Sequence, residues 1–247
     1  MAWLVTLLRT ALTSVVGLVV TLIAAPTVVI IAAFNDSSRW IDRIIRTWSR
    51  AWLAASGTKL TVVGKENVDP DESYVVVCNH LSTLDIMACF LAVPLPIRYL
   101  AKKELFRIPL LAQGMRAIGI IEVDRLARSA VHTEVNRRAR ELVEKGRSLI
   151  IYPEGTRPRD GVLDPFKKGA FTMAISSQLP VLPVAIYGTY HAWRPGTLWV
   201  RGGRVTVIVD KPVPTDGLGQ PDSGELTNHV YRIIADHVSA LGGAIRA

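Results

Sequence analysis

The stretch YVVVCNHLSTLD, Tyr74 to Asp85, decides how this chain is read. Its first half is continuously apolar and rich in valine, the pattern of a strand buried on both faces of a parallel sheet. At Asn79 the apolar run stops, and His80 and Asp85 follow. A buried strand requires neither imidazole nor carboxylate. In open α/β sheets ligands bind at the carboxyl ends of the strands, so the end of this one is where chemistry is sought.

Outward from it, apolar runs that read as strands fall at Lys59 to Val63, Ile97 to Ala101, Ile120 to Val123, Ser148 to Tyr152, Val181 to Ile186 and Val205 to Val209. Helical periodicity separates them at Leu84 to Leu91, Glu104 to Arg107, Leu110 to Ala117, Ser129 to Lys145, Lys168 to Ser177 and Glu225 to Leu241. Strands alternating with helices predict an α/β fold, a single mainly parallel-sheet domain flanked by helices. It is expected over residues 58–247, after an N-terminal two-helix membrane-anchoring motif over residues 1–57.

Three strand ends carry polar residues. The first holds His80 and Asp85, the second GIIEVDR ends on Arg125, and the third is YPEGTR, Tyr152 to Arg157. Asp85 falls in the first turn of a helix, so the chain can curl back and bring carboxylate to imidazole. That pairing fixes the tautomer, leaves the other ring nitrogen as a base and stabilises the imidazolium that forms. Ser82 and Thr83 lie between the two, but no GxSxG nucleophile elbow is present. The base then serves either a hydroxyl of the substrate or the thiol of Cys78, which strand alternation puts on the same side as His80. In the third loop, Gly155 permits close approach of the backbone to an anion, and Arg157 offers a bidentate guanidinium.

At the N-terminus, Thr10 to Phe34 is a run of about 25 uncharged residues interrupted only by Pro26, long enough to cross a hydrocarbon core of ~30 Å. It is read as a retained membrane segment rather than a cleaved signal. The next helix, RWIDRIIRTWSRAWLAASG, carries Arg39, Arg43, Arg46 and Arg50 on one stripe, with Trp48 and Trp52 among its apolar residues. That composition predicts a helix in the headgroup layer, gripping anionic membrane lipids, with the domain on the cytoplasmic face of the membrane. The net charge of +8 also favours anionic partners. Basic runs interleaved with aromatics are missing from the body of the chain, so nucleic acid is not expected. The two cysteines, Cys78 and Cys89, have no metal-ligand spacing, so neither a disulfide framework nor a metal site is expected.

NHLSTLD, GIIEVDR, YPEGTR and VLPVAI, in this order from Asn79 to Ile186, resemble the four blocks of the glycerolipid acyltransferase superfamily, and most closely its bacterial 1-acylglycerol-3-phosphate acyltransferases. The resemblance implies a membrane-bound enzyme that moves a fatty acyl group from an acyl thioester to the sn-2 hydroxyl of lysophosphatidic acid, giving phosphatidic acid. His80 would be the general base and Asp85 its partner. Arg125, Glu154, Gly155, Thr156 and Arg157 would hold the glycerol phosphate, assisted by Lys102 or Lys103, and Pro183 would lie on the acyl-donor side. Acyl-CoA or acyl carrier protein would be the donor, with no further cofactor. Glu122 departs from the Phe usual near that position of the second block. Acylation of glycerol 3-phosphate at sn-1 or of another lipid hydroxyl, thioester hydrolysis, and a membrane-anchored protein that only binds anionic lipid are the competing readings.

Overall fold

The computed structural model describes residues 2–123 and 130–246. Two helices, α1 (Ala2–Phe34) and α2 (Arg39–Ala55), lead into the sheet. The strands are β1 (Thr58–Val63), β2 (Val75–Cys78), β3 (Ile97–Lys102), β4 (Ile121–Val123), β5 (Ser148–Ile151), β7 (Val181–Tyr187) and β8 (Gly203–Val209). Between them run α3 (Leu84–Ala92), α4 (Leu111–Ile118), α5 (Ala130–Glu144), α6 (Gly169–Ser177) and the short α7 (Thr189–Ala192). α8 (Ser223–Ala240) closes the chain, and β6 (Val162–Leu163) pairs with β9 (Ala244–Ile245) in a separate two-stranded ladder.

The main sheet runs in the order β1-β8-β7-β2-β5-β3-β4. All its pairs are parallel except β7 with β8. The expected mainly parallel sheet is therefore present. The antiparallel step arises because β7 and β8 are joined by α7 and a turn rather than by a crossover helix, and only crossovers return a strand in the same direction.

β2 sits at the centre and all four of its residues are fully buried. Val76 and Cys78 face one core, with Ile97, Ile150, Leu182 and α2 and α3; Val75 and Val77 face the other, with α6 and α8. Packing on both faces explains why its sequence does not alternate. β5, β3 and β4 run parallel to β2, so the loops that follow β2, β5 and β3 leave the sheet at one edge, where β4 also ends.

Asn79 marks that edge. It is fully buried, its side-chain Nδ2 donates to the Ile186 carbonyl at 2.8 Å, and its Oδ1 accepts from the Ile186 N–H at 2.7 Å. The side-chain amide thus stands in for one more peptide unit of the β2–β7 ladder while the main chain is released toward His80.

α1 is longer than the uncharged run, because Arg9 lies inside the helix and donates to the carbonyl of Arg201. Pro26 does not end it. Its inward positions are small or weakly polar: Thr13, Gly17, Ala25 and Val28 are buried, and Trp52 fills the space a side chain at Gly17 would occupy. Its outward positions are large aliphatics. α2 also departs from expectation. Arg46 is half-buried and donates to the carbonyls of Val93 and Leu95, Trp48 donates to Thr21 Oγ1 at 2.9 Å, and Trp52 stacks on Trp193. These groups cement α2 between α1 and the sheet domain, which leaves Arg39, Arg43 and Arg50 exposed.

Asn79→Ala strands both polar groups of Ile186 in the core and should cost about 2–4 kcal/mol of folding stability. Asn79→Asp, which keeps an acceptor for the Ile186 N–H but no donor, should also destabilise, through its buried charge. Denaturant unfolding of the Ala variant within about 0.5 kcal/mol of wild type would contradict the ladder role.

Candidate functional site

Past Asn79 the chain turns sharply, and one oxygen shapes the turn. Asp85 Oδ2 accepts from His80 Nδ1 at 2.9 Å, from the Leu81 N–H at 2.7 Å and from the Ser82 N–H at 2.7 Å. Asp85 is fully buried and stands in the first turn of α3, so its carboxylate is fixed by the helix. As an acceptor from two backbone N–H groups it also accepts from Nδ1–H, which places the lone pair of the neutral ring on Nε2. His80 is largely buried, with 12% of its side chain exposed. Its ring lies on that of Tyr152, centroids 3.9 Å apart and planes within 11°. Tyr152 in turn stacks on Tyr99, whose hydroxyl donates to the Ile86 carbonyl.

The loop after β5 meets the loop after β2. Arg157 Nη1 donates to Thr83 Oγ1 at 2.5 Å. Glu154 Oε1 accepts from the His80 N–H at 2.6 Å and Oε2 from the Asp164 N–H at 3.1 Å. Glu154 is 3% exposed, so it faces the protein and not the cleft. Burial pushes its carboxyl up to about 8, against the lowering pull of the Asp164 and His80 N–H groups, with Asp85 and Asp164 raising it further.

Gly155 adopts φ +78°, a conformation other residues rarely take, and its N–H is used by the Tyr152 carbonyl at 3.1 Å. Thr156 and Arg157 are exposed at the rim. A Cβ on Gly155 would lie 2.7 Å from Lys167 Nζ, so a lysine that sequence reasoning missed has its ammonium over this turn. Its N–H bonds the Pro153 carbonyl, which returns the chain alongside the loop. The only sequence signal was the Lys167–Lys168 pair soon after YPEGTR; the fold-back itself is a tertiary event.

Lys102 ends β3 at the same sheet edge and pairs with Glu104 at 3.4 Å; Lys103 begins the 3-10 turn that follows. Arg125 lies outside the described residues. Glu122, on β4, is exposed and 3.7 Å from Arg116. Pro183 is buried within β7 opposite Val77, away from the edge. The Cys78 thiol bonds the Asn79 carbonyl at 3.2 Å and faces Cys89, and burial pushes it well up, so it is held as a neutral core group. No cluster of metal-ligating side chains occurs among the described residues.

Because the Glu154 carboxyl is raised in the fold above its ordinary 4.5, its protonated form favours folding. That stability is full below 4.5 and is lost as pH rises through about 8. Denaturant midpoints taken between about pH 5 and pH 9 should fall with pH, and Glu154→Gln, which cannot ionise, should flatten that decline. An equal slope in both proteins would contradict the assignment.

The acyltransferase family model matches residues 59–187. A 1-acyl-sn-glycerol-3-phosphate acyltransferase of Cocos nucifera is 34% identical over 182 residues, covering 74% of this chain and 58% of that protein. One from Borreliella burgdorferi is 32% identical over 188 residues, covering 76% and 72%. The chain spans less than two thirds of the Cocos nucifera relative and of a Caenorhabditis elegans relative, of which 63% is covered. The solved structure of the 1-acyl-sn-glycerophosphate acyltransferase PlsC from Thermotoga maritima superimposes with a TM-score of 0.84 at 27% identity, covering 98% of each chain. With that match to the family model across every strand of the main sheet except β8 and across both bonded loops, the chain belongs to the acyltransferase family.

Proposed function

We propose that the chain is a membrane-attached 1-acylglycerol-3-phosphate O-acyltransferase, which transfers a fatty acyl group from a thioester of coenzyme A or acyl carrier protein to the sn-2 hydroxyl of lysophosphatidic acid. The observation that carries the reading is His80, oriented through Nδ1 by buried Asp85. Among the described residues no nucleophile is bonded to its Nε2, and the nearby thiol of Cys78 is held neutral in the core.

His80 Nε2 takes the proton of the acceptor hydroxyl as its oxygen attacks the thioester carbonyl. The tetrahedral intermediate collapses, the carbon–sulfur bond breaks, and the imidazolium returns the proton to the thiolate. Phosphatidic acid and a free thiol leave. Asp85 stabilises the imidazolium between the two transfers, and the face of Tyr152 adds cation–π stabilisation in the same interval. Glu154 acts on the reaction through the His80 N–H, as a positioning residue. Arg157 and Lys167, with the lysines at Lys102 and Lys103, form the cationic rim for the acceptor phosphate, and Arg125, outside the described residues, keeps the phosphate-binding role implied by its motif.

The reversed pattern of α1 supports membrane attachment. Among the described residues one apolar helix, Trp3–Phe34, is long enough to cross a bilayer. Small residues face its neighbours and large aliphatics face outward, the packing expected where the outer medium is hydrocarbon. It contacts the rest of the chain from Arg9, bonded to Arg201, to Val28, buried in the main core. A helix docked along this length fits embedding in one leaflet, with the sheet domain and the exposed arginines of α2 at the cytoplasmic headgroups.

Mass analysis of lipids after incubation with acyl-CoA and lysophosphatidic acid tests the reaction: diacyl phosphatidic acid is expected. Free fatty acid alone would identify a thioesterase, and no turnover a binding protein. His80→Ala should lower kcat by on the order of 10²–10⁴ with the fold intact. Near wild-type turnover in that variant would remove the mechanism.

Arg157→Ala and Lys167→Ala should raise KM for lysophosphatidic acid more than they lower kcat, and narrow the preference over a neutral monoacylglycerol. Unchanged discrimination in both would place phosphate recognition elsewhere on the rim.

A further inference from the structure

Between α7 and β8 the chain forms a braced turn. The Trp193 ring N–H donates to the Thr197 carbonyl at 2.9 Å, and the Arg194 carbonyl accepts from both the Thr197 N–H and its hydroxyl. Trp193 itself is clamped by its stack on Trp52, centroids 6.3 Å apart. None of these contacts uses the side chains of Leu198 and Trp199, yet they are 80% and 45% exposed. Isolated exposed apolar residues are ordinary. Two adjacent large ones, held out by a hydrogen-bonded turn, are presented.

The turn is tied at both ends to parts of the molecule already described. At its start the Trp193 carbonyl accepts from Ser82 Oγ at 2.7 Å, two residues from His80. At its finish the Val200 N–H donates to Thr10 Oγ1 of α1 at 2.9 Å, and Arg9 of α1 bonds the Arg201 carbonyl. The tip therefore stands between the cleft and the outward aliphatic face of α1, where Leu4, Leu8, Leu12 and Val15 are each more than half exposed. Arg194, stacked over Tyr190 at 5.2 Å, and Arg201 flank it, and both are exposed. A tryptophan and a leucine between arginines, continuous with a hydrocarbon-facing helix, match the chemistry of the headgroup and acyl boundary of an anionic bilayer.

We infer that Leu198 and Trp199 form a membrane-inserted lip of the cleft, which lets an amphiphilic acceptor pass from the bilayer to His80 without crossing water. The inference rests on the reading of the chain as an acyltransferase with a bilayer-borne acceptor. It adds to the N-terminal helices a second contact, made by the sheet domain itself.

Two measurements on the full-length chain test it. In phosphatidylglycerol vesicles carrying brominated acyl chains, the difference in fluorescence between wild type and Trp199→Phe isolates the Trp199 signal. That signal should be quenched, whether or not the protein is active. An unquenched Trp199 in a vesicle-bound protein overturns the lip. For transport, Leu198→Ser/Trp199→Ser should keep turnover of a short-chain, monomeric lysophosphatidic acid within about twofold and lose about tenfold on a long-chain acceptor carried in vesicles. Equal losses on both acceptors, or no loss on vesicles, would overturn it. Wild type inactive on both acceptors would instead defeat the acyltransferase reading, with the quenching result still deciding the membrane contact.

Discussion

Asp85 Oδ2 is the atom on which the site depends. Three donors converge on it, two of them backbone N–H groups of the loop it closes and the third the imidazole of His80. Burying a carboxylate costs several kcal/mol, and here hydrogen bonds to the charged form offset that cost. The same bonds that make the buried charge tolerable also define the loop, so base and scaffold cannot be separated. Any substitution that removes the carboxylate frees the turn as well as the ring.

The rest of the site is arranged around that constraint. Asn79 releases the main chain from the sheet without leaving the ladder unsatisfied. Glu154 takes the His80 N–H, which Asp85 does not reach, and joins it to the Asp164 backbone. Tyr152 covers one face of the imidazole by stacking. Loops from β2 and β5 are thus bonded through main chain, side chain and ring, which leaves His80 little freedom. A general base needs such restriction, because misplacement of about 1 Å costs on the order of 10²-fold in rate.

The strands and most helices were legible because valine-rich runs and 3.6-residue periodicity are local. The meeting of His80 and Asp85 was legible for the same reason, being set by one turn of chain. Four features were not. Glu154 reads as a rim carboxylate in YPEGTR, and only the approach of β5 to β2 buries it against the His80 N–H. Lys167 comes to the Gly155 turn by a fold-back that spacing does not announce. Arg46 belongs to a regular arginine stripe, but the carbonyls of Val93 and Leu95 claim it. The direction of β8 depends on the absence of a crossover helix after β7, and the short α7 leaves no periodic mark.

The central claim concerns where the proton sits on His80, and ¹⁵N NMR of imidazole-labelled protein reads it directly, with the signal assigned among the five histidines by His80→Gln. At neutral ring charge the account predicts a protonated Nδ1 and a bare, pyridine-like Nε2, and it predicts that Asp85→Asn loses this single tautomer. A protonated Nε2 in the wild-type protein would contradict it, because the ring would then have no lone pair to offer the acceptor hydroxyl.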